Sequence, residues 1–464
     1  MKAIYKGLDF MNQKQLDLTG GPILRTLTEL ALPIMASSFL STVYNITDMA
    51  WIGLLGSKAV AGVGVGGMYV WLSQGLVSLA RMGGQVNTAQ ALGRRDREAA
   101  IKYSCAAIQL TLLFAALFTV LSLLFTDPLL SFFQIGDALS YRYARDYMQI
   151  TCGLIIFSYM TFTLTGLYTA QGDSQTPLKA NLAGLVTNMI LDPLLILGVG
   201  PFPRLEVTGA AIATVTAQIL VMAVLLAGIF RRGATANILR EIRLFSRIES
   251  SYYRAVFRIG IPTALQGTVY CMISMVLTRM VAVFGPGAIA TQRVGGQIES
   301  ISWNTADGFG AALNAFMAQN YGAKQPDRIR KGYRISFRVL AVWGLFITAL
   351  FVFFPRPIAR LFFHEEDVIS VAVGYLIVIG FSEPFMCIEL MTVGALSGLG
   401  KTKLCSIISI ALTGARIPLA LILTRTPLGL HGIWWALTLS SILKGIVFYF
   451  AFQQVNRRLE LKKI

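Results

Sequence analysis

One aspartate in an apolar stretch of the chain is the residue best suited to chemistry. Asp48 is the only charged residue between Glu29 and Lys58, in a segment long enough to cross a membrane as a helix. An ionisable side chain at that depth is costly unless it faces a cavity or a partner. On a helix, Tyr44 and Asn45 share a face with Asp48. A carboxylate, a phenol and an amide on one face predict a cation site.

A second intramembrane acid follows in the fifth predicted helix. Asn188 and Asp192 are four residues apart and therefore share a helix face. Pro193 follows directly; a proline here removes a backbone donor and crowds the carbonyl of Met189. We expect it to bend the helix, which widens a cavity or offers that carbonyl as a ligand. The alternative is that Asp192 only stabilises helix packing, but intramembrane acids are functional by default.

Counting along the helices places these groups at a similar depth. At about 1.5 Å per residue, Asp48 lies about 27 Å and Asp192 about 21 Å from the inner surface, and Thr214 about 9 Å from the outer one. Oxygen ligands suit a hard cation such as Na⁺, and two carboxylates that share one site can hold an exchangeable proton. The sequence therefore predicts an H⁺ or Na⁺ site formed by Tyr44, Asp48, Asn188, Asp192 and Thr214. Hydrogen bonding between helices is the alternative role of Tyr44, Asn188 and Thr214.

The composition is that of a polytopic membrane protein. The 464 residues are 55% hydrophobic and only 14% charged, against about 25% charged in soluble domains. Repeated apolar runs, each able to cross about 30 Å of hydrocarbon, predict an all-α fold with twelve transmembrane helices. They are expected near residues 26–54, 59–82, 99–126, 146–170, 178–199, 208–230, 256–284, 291–318, 333–354, 370–397, 403–424 and 430–455.

The formal charge of +17 is concentrated in every second loop. This is the positive-inside pattern, so both termini are expected in the cytoplasm and the chain in the inner (plasma) membrane. The distribution leaves no separate basic domain for a nucleic acid. The sequence shows neither a Walker motif for ATP nor a metal-ligand spacing of its two histidines, and the five cysteines lie in or beside apolar segments. We expect a monomer that needs no cofactor and is not an enzyme.

The chain contains an internal repeat. The motif ending at Pro33 matches Gly-Ile-Pro at Pro262, and Ala-Gln-x-x-Gly ending at Gly93 matches the same motif ending at Gly322, both at a shift of 229 residues. Six helices per half give the halves the same orientation, with a pseudo-twofold along the membrane normal. Such lobes are typical of an alternating-access transporter; duplication without transport is the alternative. The expected domains are an N-terminal tail (1–22), an N-lobe (23–230), a cytoplasmic linker (231–255), a C-lobe (256–455) and a C-terminal tail (456–464).

The second half does not repeat the cation site. The shift of 229 places Leu277 opposite Asp48, and a shift of 228 places Arg416 opposite Asn188 and Ala420 opposite Asp192. The second half has other polar side chains, on the seventh, eighth and tenth helices: Gln266, Glu299, Asp307, Glu383 and Glu389.

These five residues are candidates for a substrate path, and the four acids among them are also candidates for a second coupling site. The alternative for the acids is pairing with Arg279 or Arg416.

Several stretches together resemble the multidrug and toxic compound extrusion (MATE) transporters over nearly the whole chain. They are LALP at 30–33, TVYNITDMAWIGLLG at 42–56, QGDSQTPLKANLAGLVTNMILDPLLI at 171–196, GAAIATVTAQ at 209–218 and the two AQxxG loops. The resemblance implies a two-lobed, twelve-helix exporter driven by H⁺ or Na⁺, and is nearest to the archaeal and DinF-like branches. Its cation-site motif maps onto Tyr44, Asp48, Asn188, Asp192 and Thr214. The NorM-like branch has an acid in the seventh helix, where this chain has Gln266.

The sequence therefore predicts a secondary antiporter that exports amphipathic, often cationic, organic compounds. A flippase for lipids or lipid-linked precursors of the same superfamily is the alternative, but it is expected to need a more cationic cavity than Arg279 and Arg416 provide. A receptor or scaffold without transport would not need paired acids in one lobe. The expected partners are small amphipathic molecules and membrane lipids, and no nucleic acid.

Overall fold

The computed structural model describes residues 16–133, 137–231, 237–361 and 366–461. Within these ranges the regular elements are helices, which confirms the all-α prediction. In chain order they are α1 Ile23–Gly53, α2 Ser57–Gly93, α3 Arg97–Leu124, α4 Thr126–Ser131, α5 Ala138–Gly153, α6 Ile155–Ala170, α7 Gln175–Ile196, α8 Glu206–Arg231, the 3₁₀ helix Ile238–Glu241, α9 Ser250–Ala282, α10 Pro286–Gly322, α11 Pro326–Phe353, α12 Pro355–Arg360, α13 Glu366–Gly380, α14 Glu383–Gly398, α15 Thr402–Gly414, α16 Arg416–Thr424 and α17 Leu430–Leu461.

Long apolar runs account for most of the predicted spans. Among the described residues, eight segments can each cross a membrane by length and composition, namely α1, α2, α3, α8, α9, α11, α17 and the joined α15–α16. The pairs α5–α6 and α13–α14 can each do so together. The remaining two of the twelve spans are α7 and α10, whose polar residues lower their hydropathy. These are also the helices that carry Asp192 and Glu299.

Two predicted spans differ from single straight helices. α5 and α6 are bent by 49° where they meet at Leu154, and α13 and α14 are bent by 51° at their break. α5 also begins earlier than predicted, because Asp137 caps it by accepting a hydrogen bond from the backbone N–H of Ser140 at 2.9 Å. Hydropathy averaged over a span contains no signal for such breaks or caps.

Contacts divide the chain into two compact units. Among the described residues, the first unit comprises residues 16–17 and those from Ala36 to Gly260, and the second comprises Leu18–Met35 and those from Ile261 to Leu461. This division groups the start of α1 with the second unit, whereas the predicted N-lobe, 23–230, includes it. The lobe boundaries drawn from the repeat stay a prediction.

The described part of the expected linker, 231–255, belongs to the first unit and packs within it. Ile238 and Leu239 of the 3₁₀ helix are buried in an apolar cluster with Leu167 and Leu225. α9 begins at Ser250, so the last residues assigned to the linker are helical. The polar composition of this stretch predicts neither the buried 3₁₀ helix nor the start of α9 at Ser250.

Glycines bring two helix pairs of the first unit into close contact. A Cβ at Gly66 of α2 would lie 2.9 Å from the carbonyl oxygen of Ala144 in α5. One at Gly209 of α8 would lie 2.4 Å from the carbonyl oxygen of Leu195 in α7. Larger residues would push these helices apart. The glycines therefore set the spacing of the helices that carry the candidate site.

Candidate functional site

Asn188 and Asp192 form the centre of a polar cluster in the first unit. Asn188 Nδ2 donates a hydrogen bond to Asp192 Oδ1 at 3.0 Å, as their spacing predicts, and both side chains are fully buried. In the described part of the chain, Asn188 Oδ1 and Asp192 Oδ2 have no hydrogen-bond partner. α7 continues through Pro193 to Ile196, so the proline does not break the helix.

Asp48 joins this cluster from α1. Its side chain is buried, and its charge interacts with that of Asp192. Its Oδ1 has no hydrogen-bond partner within the described residues, among which neither carboxyl group forms an ion pair with lysine or arginine. Asn45 is exposed and does not belong to the cluster.

Hydroxyl groups from three helices complete the cluster. The sequence predicts Tyr44 on α1 and Thr214 on α8, but it did not single out Tyr147 on α5. The Thr214 hydroxyl lies beside both phenol groups, which also interact with the charge of Asp48. Within the described ranges, Tyr44 Oη and Thr214 Oγ1 have no hydrogen-bond partner. Tyr147 did carry a signal, because the shift of 228 matches it with another tyrosine, Tyr375.

An apolar wall borders these polar groups. One buried apolar cluster contains Tyr147 together with Ile52 of α1, Ile196 of α7 and Ala210 of α8. Each of the last three residues lies about one turn from the polar residue on its own helix. The side chains of Ile52, Ile196 and Ala210 offer no hydrogen bonds that could replace those of water. A charge in this position is therefore stabilised mainly by the polar groups of the cluster.

The arrangement suits the binding of a proton or a small cation. Two carboxyl groups, an amide oxygen and hydroxyl groups meet there, and leaving a buried polar atom unpaired costs about 1–3 kcal/mol. A ligand that these oxygens coordinate recovers that free energy. Carboxylate, amide and hydroxyl oxygens are the ligands that hard cations prefer. The five residues predicted from the sequence thus lie together, and cation binding by them stays a prediction.

The equivalent positions of the second unit are apolar. Leu277 and Ala420, which the repeat matches with Asp48 and Asp192, lie in one buried cluster with Ile273. The repeat also predicts this difference. The candidate cation site therefore has no counterpart at these positions.

In the described part of the chain, Glu389 pairs with a lysine and not with Arg279 or Arg416, the arginines expected for the alternative role of the second unit's acids. Glu389 accepts a hydrogen bond from Lys444 Nζ at 2.7 Å, and both side chains are buried. Arg416 is also buried, but Arg279 is exposed. Two serines of α17 accept hydrogen bonds from Arg416 at 3.2 and 2.9 Å, Ser440 and Ser441.

The other candidates of the second unit lie in different environments. Glu299 accepts a hydrogen bond from Tyr375 Oη at 3.3 Å. Glu383, the first residue of α14, is fully buried, and neither of its carboxyl oxygens has a hydrogen-bond partner in the part of the chain described. Asp307 is exposed. Gln266 Oε1 accepts a hydrogen bond from a serine of α15 at 3.5 Å.

Known proteins match almost the whole chain. The probable multidrug resistance protein NorM of Thermotoga maritima is 27% identical over 425 residues, which cover 89% of this chain and 88% of that protein. The FAD transporter of Shewanella oneidensis is 26% identical over 440 residues, covering 94% and 96%. A solved MATE structure in the bent conformation has a TM-score of 0.88 at 21% identity, and the match covers 96% of this chain and 98% of that one.

A family model matches the chain twice. The MatE model covers residues 33–194 and 262–422, which fall in the two halves of the internal repeat. Together the two matches cover more than half of the sequence. The chain therefore belongs to the MatE family of membrane transporters.

Proposed function

We propose that this protein is an antiporter that exports small organic molecules in exchange for H⁺ or Na⁺. The observation that carries the proposal is the meeting of Asp48 and Asp192 in one buried cluster, without an ion pair among the described residues. Family membership and the multidrug resistance name of the Thermotoga maritima relative support small organic substrates. Amphipathic cations are the substrate class predicted from the resemblance.

Ion binding changes the interaction between two helices of the first unit. With both carboxyl groups ionised, Asp48 on α1 and Asp192 on α7 repel each other, and a bound cation or proton removes that repulsion. The ion thereby favours the conformation in which α1 lies closest to α7. A ligand shifts such an equilibrium only by its different affinity for the two conformations. The cluster supplies this difference in ion affinity between the two conformations, and alternating access requires such a difference.

Efflux from proteoliposomes under separate gradients tests the proposal. The purified protein is reconstituted with the cationic dye ethidium, and a pH gradient or a Na⁺ gradient is imposed alone. We expect one of the two gradients to drive efflux, and Asp192→Asn to abolish it. Asp127→Asn is the matched control, since Asp127 is an exposed acid 3.6 Å from Arg145. Wild-type rates in the Asp192→Asn protein would contradict the assignment.

Arg416 supports a second candidate, export of an anionic solute. Its guanidinium group is buried and bound to serine hydroxyls, and it forms no ion pair within the described residues. The Shewanella oneidensis relative is named a FAD transporter, and FAD carries phosphate groups, which guanidinium groups bind well. If this candidate is right, Arg416→Gln abolishes FAD efflux and spares ethidium efflux. A fluorescent lipid in the same vesicles tests the flippase alternative.

A further inference from the structure

The turn Arg243–Ser246, between α8 and α9, is fixed to the side of α3. Gln109 Nε2 donates hydrogen bonds to the carbonyl groups of Leu244 at 2.5 Å and Ser246 at 3.1 Å. Cys105 Sγ donates to the carbonyl oxygen of Arg243 at 3.4 Å. The Ser246 N–H closes the turn by donating to the same oxygen at 3.0 Å. Since these bonds hold its backbone, the turn presents its side chains in a defined direction.

The tip of this turn is apolar and its flanks are basic. Phe245 is fully exposed, and Leu244 beside it is 42% exposed. Arg243 and Arg247 are exposed on either side. The acid that precedes the turn, Glu241, is already paired with Arg97 at the start of α3. An aromatic tip between two arginines is typical of a membrane-interface contact.

The depth of the turn along α3 agrees with such a contact. Lys102 is the last charged residue of α3, and no charge follows up to Leu124. Gln109, which holds the turn, lies seven residues beyond Lys102, about 10 Å further along the helix axis. The turn is therefore level with the beginning of the apolar part of a membrane span. Irregular backbone is tolerated there because Gln109 binds its carbonyl groups.

We infer that residues 243–247 form an interfacial anchor that binds an anionic phospholipid. Phe245 inserts between acyl chains, and Arg243 and Arg247 bind the phosphate groups above it. Charge complementarity identifies the partner, because arginine side chains bind phosphate through several donors at once. Phe245 thus lies deeper in the leaflet than Arg243 and Arg247. This anchor lies outside the cation site and does not depend on the proposed transport function.

Fluorescence quenching in nanodiscs tests the apolar part of the anchor. Phe245→Cys in the full chain is labelled with the fluorophore NBD, and the unsubstituted protein, whose cysteines are buried or half-buried, is the labelling blank. We expect lipids with a nitroxide on the acyl chain to quench the label and aqueous iodide to leave it unaffected. The matched control is Glu98→Cys, at an exposed position in the first turn of α3. Its label should be quenched by iodide.

Lipid composition tests the charged part. In discs with phosphatidylglycerol the label at position 245 should be quenched about twofold more than in discs of phosphatidylcholine alone, and Arg243→Gln with Arg247→Gln should remove that difference. Equal quenching in both lipids would reject the anionic partner. Iodide quenching at position 245 as strong as at position 98 would overturn the anchor. A label shielded from both quenchers would also overturn it, because a second copy of the chain would then cover the turn.

Discussion

Leu277 and Ala420 lie in one buried apolar cluster, at the positions that the internal repeat matches with Asp48 and Asp192. The repeats thus bring the same two helix positions together in each unit, and they differ in the chemistry of the residues that meet there. Carboxyl groups meet in the first unit, and hydrocarbon in the second. Among the described charged residues of the second unit, Glu389 pairs with Lys444, and Arg416 donates hydrogen bonds to two serines.

Introducing a carboxyl group into the apolar cluster should destabilise the second unit. We expect Leu277→Asp to lower the free energy of unfolding by about 3 kcal/mol or more, because the new carboxyl group has no partner there. Leu277→Met, which keeps the volume, should cost less than about 1.5 kcal/mol. Unfolding in detergent measures both. A Leu277→Asp protein as stable as Leu277→Met would show that polar groups do reach this position.

Removing one carboxylate of the polar cluster should stop coupling without unfolding the protein. Asp48→Asn keeps the shape of the side chain, but it removes the charge that a proton or Na⁺ neutralises. We expect folding to be retained and gradient-driven ethidium efflux to fall by at least about tenfold, a loss of about 1.4 kcal/mol in transition-state stabilisation. Asp127→Asn again provides the comparison. Efflux at the wild-type rate would exclude Asp48 from the coupling site.

Tyr147 should contribute to coupling through its hydroxyl group. Tyr147→Phe keeps the ring in its apolar cluster and removes the hydroxyl group beside Thr214. We expect a smaller loss of efflux than Asp48→Asn causes, about threefold to tenfold, as for the loss of one hydrogen bond. Tyr159→Phe is the control, because its buried hydroxyl donates to the Ser73 carbonyl at 3.0 Å outside the cluster. Equal losses in the two variants would mean that the effect is structural.

The members of the polar cluster differ in how visible they are in the sequence. Asp48 and Asp192 stand out because a charge in an apolar run is rare, and helix spacing then adds Tyr44 and Asn188. Tyr147 does not stand out, because a single tyrosine in a membrane span is common. Only the internal repeat, which matches it with Tyr375, distinguishes it.

Partner choice and helix breaks were less predictable. The pairing of Glu389 with Lys444 depends on how each helix is rotated about its axis, which hydropathy does not determine. The bend at Leu154 depends on local backbone geometry, and an average over a whole span removes that information.

Breaking the buried ion pair on one side should be costly. Lys444→Met leaves the Glu389 carboxylate buried without its partner, and we expect a loss of about 3–5 kcal/mol in the free energy of unfolding. Replacing both residues, Lys444→Met with Glu389→Leu, should recover most of that loss because no charge is left unpaired. Denaturation of the single and double variants in detergent measures the coupling. If the double variant is no more stable than Lys444→Met alone, the loss of stability does not come from the unpaired charge of Glu389.

The ion pair at the start of α5 should give the protein an acid-dependent stability. The pair consists of Asp137 and Lys58. Asp137 accepts hydrogen bonds from Lys58 and from the backbone and side chain of Ser140, and these bonds lower the pKa of Asp137 to about 2. A lowered pKa stabilises the folded state above the ordinary carboxyl value, about pH 4, and this contribution is lost as the pH falls toward about 2. Asp137→Asn should flatten the change of melting temperature in that window. Lys58→Met should flatten it partly, and an unchanged profile in Asp137→Asn would assign the acid sensitivity to other groups.

The polarity of α7 and α10 has a consequence for how the chain enters the bilayer. Among the described helices, these two are long enough to span a membrane, but their composition is too polar for them to qualify as spans on their own. A segment of this kind partitions poorly from the translocon into lipid when it is alone. α7 approaches α8 closely at Gly209, and α8 is strongly apolar, so the two are suited to enter as a helical hairpin. A nascent chain that stops after α7 lacks this partner, and we expect its last segment to remain outside the membrane until α8 has been synthesised.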